Sequence, residues 1–216
     1  MMKICTAEGV QGGSAHLVWQ AAAAVGGRVG LSLEQRRFKL LRMLRATLGP
    51  AQLQHLTAHC EAVSRAASGL AILMGLEGPR VERSRLAGLL HDIGKALTPE
   101  DLLAKPGPLS AEERAVLDRH PEDGARLCAA LGADQAICDA VRFHHARYDA
   151  GATPIEAQIV AVADSLVTMT TDRPYSAARS FAEALAELRR ERGARYNPDA
   201  VVAAHILGAR TMSLAA

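Results

Sequence analysis

Several histidines and aspartates in this sequence stand where a helical core would put leucine. After Asp134, the apolar residues Ile137, Ala140 and Val141 mark one helical stripe. His144 and His145 take its next two steps, so both imidazoles are expected to point inward. His59 shares a helix face with Val63, Ala66 and Leu70, and His91 and Asp92 interrupt the apolar series Leu86, Leu89, Leu90 and Ile93. Asp164 is the only charge between Ile159 and Val167. A carboxylate buried without a partner costs on the order of several kcal/mol, so such a residue needs a cation or strong hydrogen bonds.

Taken one at a time, these residues have ordinary explanations. A lone inward histidine is more often a hydrogen-bonded core residue than a ligand, and a buried aspartate often caps a helix or pairs with arginine. Five helices that each present histidine or aspartate inward are harder to explain that way. Imidazole together with carboxylate suits divalent transition metals (Fe, Mn, Zn, Co or Ni) better than Ca. With a carboxylate bridging, such a set can hold two ions that polarise a water between them.

Helices must carry these residues. Met1 to about Ala15 is aperiodic and reads as a mobile lead-in. A short helix from His16 to Val25 ends at Gly26-Gly27. An amphipathic helix from Leu33 to Leu48 has Phe38, Leu41 and Leu44 at helical spacing and stops at Gly49-Pro50. That turn is the expected boundary between an N-terminal helical extension, residues 1–50, and a main domain, residues 51–216. Helical patterns then run from Ala51 to about Gly75 and from Val81 to Ala96. Thr98 reads as an N-cap with Pro99 in the first turn, and Ser110-Ala111-Glu112-Glu113 reads as a capping box. Further helices are expected over Asp134–Arg147, Ile155–Thr170, Ser176–Arg192 and Pro198–Ala209, the last capped by Asn197. No segment alternates as a strand, so the expected fold class is all-α.

The 216 residues, 49% hydrophobic and 22% charged, can bury a solid core in an ordinary globular chain. A net charge of +2, with no Lys/Arg stripe interleaved with aromatics, argues against DNA as a partner. Cys5, Cys60, Cys128 and Cys138 form no CxxC pair and read as mostly core thiols in a reducing compartment. No apolar run approaches the length of a membrane span and no export signal is apparent, so the expectation is a cytoplasmic protein without membrane contact.

His91-Asp92-Ile93-Gly94-Lys95 resembles the signature of HD-superfamily phosphohydrolases. Its surroundings resemble the HD-GYP subgroup, bacterial phosphodiesterases that hydrolyse cyclic di-GMP. The matching stretches begin with His59-Cys60-Glu61-Ala62-Val63, His91 to Lys95, and Leu103-Ala104-Lys105-Pro106-Gly107. His120-Pro121 with Gly124, His144-His145, Val162-Ala163-Asp164, Met169 to Tyr175 and Tyr196-Asn197-Pro198 follow, covering about Leu53 to Leu207. The resemblance implies an HD-domain helical bundle with additional N-terminal helices. It implies that His59, His91, Asp92 and Asp164 hold one divalent ion, and that Asp92, as a bridge, holds a second with His120, His144 and His145. It further implies attack on phosphorus by a metal-bridged hydroxide, with Asp92 and Lys95 as catalytic residues and Lys95 and Arg173 as phosphate contacts. Read alone, Lys95 is a solvated helix end and Arg173 a turn residue before Pro174. His55 lies one turn before His59, where three-metal members carry Glu, and would preserve a third ion site; read alone, it is a partly exposed residue near a helix start.

The chain departs from the subgroup in four places. The Asp-Gly-x-Gly-Tyr-Pro element after the histidine pair is absent, since Tyr148-Asp149-Ala150-Gly151 runs almost directly into Pro154-Ile155. Ala146 stands where an acidic residue is expected, Val167 where a second Asp is usual, and Ser176 where a basic residue often contacts substrate. The implied function is a metal-dependent phosphodiesterase for a cyclic dinucleotide of the cyclic di-GMP kind. One alternative is an HD phosphohydrolase for another nucleotide or phosphoester. The other is a non-catalytic signalling module that binds a nucleotide or a partner, and the complete ligand set argues against it. Residues 1–50 match no sensor or receiver domain and read as a regulatory remnant or a homodimer contact.

Overall fold

The computed structural model describes residues 13–172 and 177–214, so most of the expected lead-in, together with Arg173 and Ser176, lies outside the described residues. The helices are α1 (Gly13–Gly26), α2 (Leu33–Leu44), α3 (Pro50–Gln54), α4 (Cys60–Leu73), α5 (Gly78–Leu90) and α6 (Glu100–Leu103). They continue with α7 (Ala111–Leu117), α8 (His120–Ala130), α9 (Gln135–Arg142), α10 (Ile155–Thr170), α11 (Phe181–Arg190) and α12 (Pro198–Leu214). A π-helical segment, His55–His59, joins α3 to α4, and 3-10 turns occupy Ile93–Leu97 and Tyr148–Ala150. Among the described residues the β pairing is confined to an isolated bridge between Arg192 and Tyr196, so the fold class is all-α as expected.

Side-chain caps set several helix starts. Ser32 with Gln35, Ser110 with Glu113 and Ser180 with Glu183 form capping boxes, and Asp134 accepts from the Ile137 nitrogen. Asn197 Oδ1 accepts from the nitrogens of Asp199 and Ala200 at 2.8 and 3.1 Å and so starts α12. Each such cap contributes about 1 kcal/mol.

Several expected boundaries move. The helix expected to end at Leu48 ends at Leu44, and Gly49-Pro50 instead opens α3, where Pro sits in the first turn. Phe38 is 64% exposed, because Leu40, Leu41 and Leu44 set the buried face of α2 and turn Arg37 inward in its place. The helix expected over Val81–Ala96 starts at Gly78 and stops at Leu90, after which Asp92 takes φ −97° and ψ 4°. This bridge region of backbone space is sparsely used and common at active sites. Thr98 does not cap α6; Pro99 occupies that position and the Thr98 carbonyl accepts from Gln52 Nε2 at 2.8 Å. The start expected at Ser176 falls at Phe181, where the Ser180–Glu183 box is the stronger signal.

Two apolar clusters hold the helices together. In the first, Ile159, Val160, Val162, Ala163 and Leu166 of α10 meet Val63, Ala67 and Leu70 of α4, Leu188 of α11 and Val201 of α12. In the second, Val18 of α1 and Leu40 and Leu44 of α2 meet Leu127 of α8, Val141 of α9, Leu56, Leu90 and Ile93. Each fully buried leucine contributes about 2 kcal/mol. Helices α5 and α9 supply residues to both clusters, Ala87 and Leu90 from α5 and Ala140 and Val141 from α9. Their C-terminal ends therefore converge with α4 and α10, which pack on them.

Glycine makes two of these approaches possible. A Cβ on Gly88 of α5 would come within 3.0 Å of the Ser64 Cα, so α4 and α5 touch backbone to backbone. A Cβ on Gly94 would overlap the His120 carbonyl oxygen and lie 2.6 Å from the Gly124 nitrogen. The bare backbone at Gly94 lets the Ile93–Leu97 turn lie against the start of α8, which brings Asp92 and His120 together.

Candidate metal centre

The ends of four elements and the inner face of a fifth helix meet at one place. His59 closes the π segment, His91 and Asp92 follow α5, His120 opens α8, His144 and His145 follow α9, and Asp164 lies in α10. His59 Nε2 lies 3.0 Å from Asp164 Oδ1 and 3.9 Å from Asp92 Oδ2. His91 Nε2 lies 3.4 Å from Asp92 Oδ2 and 3.8 Å from Asp164 Oδ1. On the other side, His120 Nε2 lies 3.4 Å from Asp92 Oδ1, and His145 Nε2 is 3.2 Å from His120 Nε2. The donor atoms of His59, His91 and Asp164 all fall within 4.8 Å of one another, as do those of His120, His144 and His145.

The imidazoles are oriented from behind. Nδ1 of His91, His120 and His144 faces the carbonyl of the residue three before it, Gly88, Leu117 and Val141, at 2.9, 2.8 and 2.6 Å. With Nδ1 donating there, each imidazole in its neutral form turns the Nε2 lone pair to the cluster, the tautomer a metal ligand needs. The Nε2 atoms of His91 and His144 are buried and have no hydrogen-bond partner. A buried polar atom without a partner is costly, and a cation at the cluster would satisfy both. The donor set and these two atoms fit divalent metal.

Backbone geometry differs from the sequence expectation at the histidine pair. Helix α9 stops at Arg142 rather than Arg147, Phe143 takes φ −105° and ψ 11°, and the Ala146 nitrogen turns back to the Phe143 carbonyl at 2.9 Å. On a continuing helix, neighbouring residues would point about 100° apart. The turn instead lets His144 and His145 serve one group from adjacent positions. His144 is 1% exposed, whereas His145 lies on the solvent side.

Further residues support the site, two of them, Thr168 and Glu100, with no sequence signal. Thr168 Oγ1 donates to Asp164 Oδ1 at 3.1 Å. The Glu100 carboxylate of α6 accepts from the nitrogens of Ala51 and Gln52 at 2.8 and 3.0 Å and so anchors the start of the helix that leads to His59. Cys60 Sγ lies 4.0 Å from His91 Nδ1, but that nitrogen serves the Gly88 carbonyl, so Cys60 sits behind the ring rather than at the cluster. Lys95 Nζ donates to Asp92 Oδ2 at 2.7 Å and lies 3.5 Å from His55 Nδ1, which is itself 3.8 Å from Asp92 Oδ2. Val167 packs against the first apolar cluster. In place of the missing Gly-Tyr-Pro element, the Tyr148–Ala150 turn donates from Tyr148 and Asp149 nitrogens to the carbonyls of Arg195 and Ala194 at 3.1 and 3.0 Å.

Protonation follows burial and neighbours. Burial tends to raise Asp92, but the Lys95 ammonium and then His91 outweigh it and hold the carboxyl well below its usual range. Burial opposes charge on His91, but the Asp92 carboxylate beside it raises the imidazole well above its ordinary value. Burial pushes His120 down to about 4, and it also lowers His144 and His145.

A pH dependence of the metal-free protein follows. The three lowered histidines take up protons on unfolding once the pH falls below the ordinary value of 6.5. The unfolded state then binds more protons, so stability declines as pH falls from there toward 4. His91 acts oppositely: its contribution is complete below 6.5 and is lost as pH rises through its raised folded value. Chelator-treated protein is therefore expected to show denaturant midpoints that fall steadily between pH 6.5 and 5. A flat profile there would show that these imidazoles are not held neutral.

The chain belongs to the HD domain family, which matches residues 50–200. Its similarity to the HD-GYP group is seen in individual relatives. It is 36% identical over 159 residues to the cyclic di-GMP phosphodiesterase response regulator RpfG of Xanthomonas campestris pv. campestris, covering 67% of this chain and 41% of that protein. It is 31% identical over 160 residues to the 3'3'-cGAMP-specific phosphodiesterase 1 of Vibrio cholerae serotype O1, covering 70% of this chain and 37% of that one. The chain thus spans less than half the length of these relatives. Its fold is similar to that of Bd1817, an HDG"Y"P protein from Bdellovibrio bacteriovorus, with a TM-score of 0.58 at 18% identity over 94% of this chain and 74% of that one. Among the described residues no helix is long and apolar enough to cross a membrane.

Proposed function

We propose that this chain is a metal-dependent phosphodiesterase that opens a cyclic dinucleotide of the cyclic di-GMP kind. The observation that carries the reading is the sharing of Asp92, whose Oδ2 faces His59 and His91 while its Oδ1 faces His120. His59, His91, Asp92 and Asp164 would hold one divalent ion, and Asp92, His120, His144 and His145 a second. Bound there, such ions lower the pKa of a water and neutralise charge on phosphoryl oxygens. The names of the relatives support the substrate class.

The protein's own groups orient the substrate. His91, Asp92 and His144 form a dry floor, while His55, Lys95 and His145 lie toward solvent, the side from which a phosphodiester enters. Lys95 places an ammonium beside Asp92, where it favours an anionic phosphoryl group. Arg173 is kept as a second phosphate contact. His55 is assigned as a neighbour of Lys95 rather than a ligand, since its Nδ1 lies 3.5 Å from the Lys95 ammonium. Residues 1–50 are retained as an extension and 51–216 as the HD domain. The short Tyr148–Ala150 turn after the histidine pair supports an open entrance, with weak and broad binding expected.

The test is turnover by protein reconstituted with Fe, Mn, Zn, Co or Ni, assayed on cyclic di-GMP, cGAMP and bis(p-nitrophenyl) phosphate. Ring opening of a cyclic dinucleotide is expected, with weak selectivity between the two. Turnover of the nitrophenyl ester alone would favour the broader phosphohydrolase. No turnover with full metal loading would favour a binding module.

A further inference from the structure

Helix α2 lies in the N-terminal extension, yet one of its side chains reaches the segment that carries His59. Arg37 is 7% exposed, and its guanidinium donates from Nη2 to the Leu56 carbonyl. Leu56 lies inside the π segment His55–His59 and is 2% exposed. The backbone there departs from α-helical pairing. The Cys60 nitrogen donates to the Thr57 carbonyl, Thr57 Oγ1 to the Leu53 carbonyl at 2.6 Å, and Cys60 Sγ to the His55 carbonyl at 2.9 Å. A π segment is rare and is found mostly as a single turn at functional sites, and its carbonyls still need partners. Here Cys60 supplies two of these partners, its nitrogen to Thr57 and its thiol to His55, and Arg37 supplies one from another helix.

A guanidinium is expensive to bury, so its position calls for a reason. Leu56 also packs in one apolar cluster with Leu40 and Leu44 of α2, but those contacts leave the Leu56 carbonyl without a donor. Beside Arg37 the seam opens into a groove of about 550 Å³ lined by Phe38, Leu41, Leu53, Thr57 and Glu61 among others. A direct polar link across that seam is the bond from Arg37 to Leu56.

We propose that Arg37 is a positioning residue for the metal centre: by holding the Leu56 carbonyl it fixes the π segment so that His59 aims at Asp164, 3.0 Å away. The inference rests on the assignment of His59 to the first ion.

The experiment compares wild type, Arg37→Met, Arg37→Lys and His59→Ala in cobalt(II) titrations followed by visible absorption, with metal per chain and thermal unfolding measured on the same samples. Arg37→Met keeps bulk and removes the donor. It is expected to weaken the His59 ion by about 10–100-fold, the usual effect of losing a group that orients a ligand, and to leave the His120–His144–His145 ion nearly unchanged. Arg37→Lys, which keeps a donor, is expected to recover part of the loss, and His59→Ala to identify which absorption band belongs to that ion. Wild-type affinity in Arg37→Met, or equal weakening of both ions, would overturn the proposal. If Arg37→Met does not fold, Arg37→Lys decides by selectivity: weakening confined to the His59 ion supports the proposal, and equal weakening of both ions overturns it. A wild type that binds no ion overturns the two-metal reading, and the inference with it.

Discussion

Asp92→Ala is expected to lose both ions and bring hydrolysis to background while the helices stay folded. The side chain is 2% exposed and belongs to two groups at once, with Oδ2 3.4 Å from His91 and Oδ1 3.4 Å from His120. Among the described residues, the other carboxylate of the cluster, Asp164, has its ion-pair contacts with His59 and His91 of the first group. Removing it also removes a carboxylate that is costly to bury. Its partner Lys95 keeps 15% exposure and can turn toward water, so no ammonium is stranded in the core. Metal analysis and circular dichroism of the variant check the result. A variant that keeps one ion and part of its activity would show that the two groups act independently.

The second large effect is expected from a residue without chemistry of its own. In Gly94→Ala the added methyl overlaps the His120 carbonyl oxygen and approaches the Gly124 nitrogen to 2.6 Å. Both obstacles are backbone, so neither can swing aside. The start of α8 must shift, and with it His120, whose Nε2 now lies 3.4 Å from Asp92 Oδ1. Overpacking of this kind costs about 1–3 kcal/mol and occasionally more. Loss of the second ion is expected with it. Gly69→Ala is the control, because its methyl would meet only the Leu207 side chain, at 3.6 Å. Denaturant unfolding and metal content distinguish the two variants. Equal stability in Gly94→Ala and wild type would contradict the close approach.

Much of the cluster was legible because burying charge in an apolar stripe is costly and therefore conspicuous. His59 and Asp164 were visible on their helix faces, and they meet at 3.0 Å. The inward direction of His144 was also visible, although it arises from a turn after Arg142 rather than from helical periodicity. His120 had no periodic signal and entered only through the resemblance. Other features depend on what the fold brings from afar. Nothing around Glu100 marks it as the anchor of Ala51 and Gln52, since its partners lie about fifty residues earlier. The π segment is a shift in backbone pairing with no residue signature. Phe38 and Arg37 exchange their expected places because the rotation of α2 is set by three leucines, and no single side chain overrides them.

Two ions sharing Asp92 are proposed, and metal content measures them directly. The purified chain, reconstituted with excess divalent metal and freed of loosely bound ions, is expected to carry two ions per chain. Chelation should abolish cyclic dinucleotide hydrolysis and metal should restore it. A chain that saturates at one ion, or that hydrolyses equally well with none, would contradict the account.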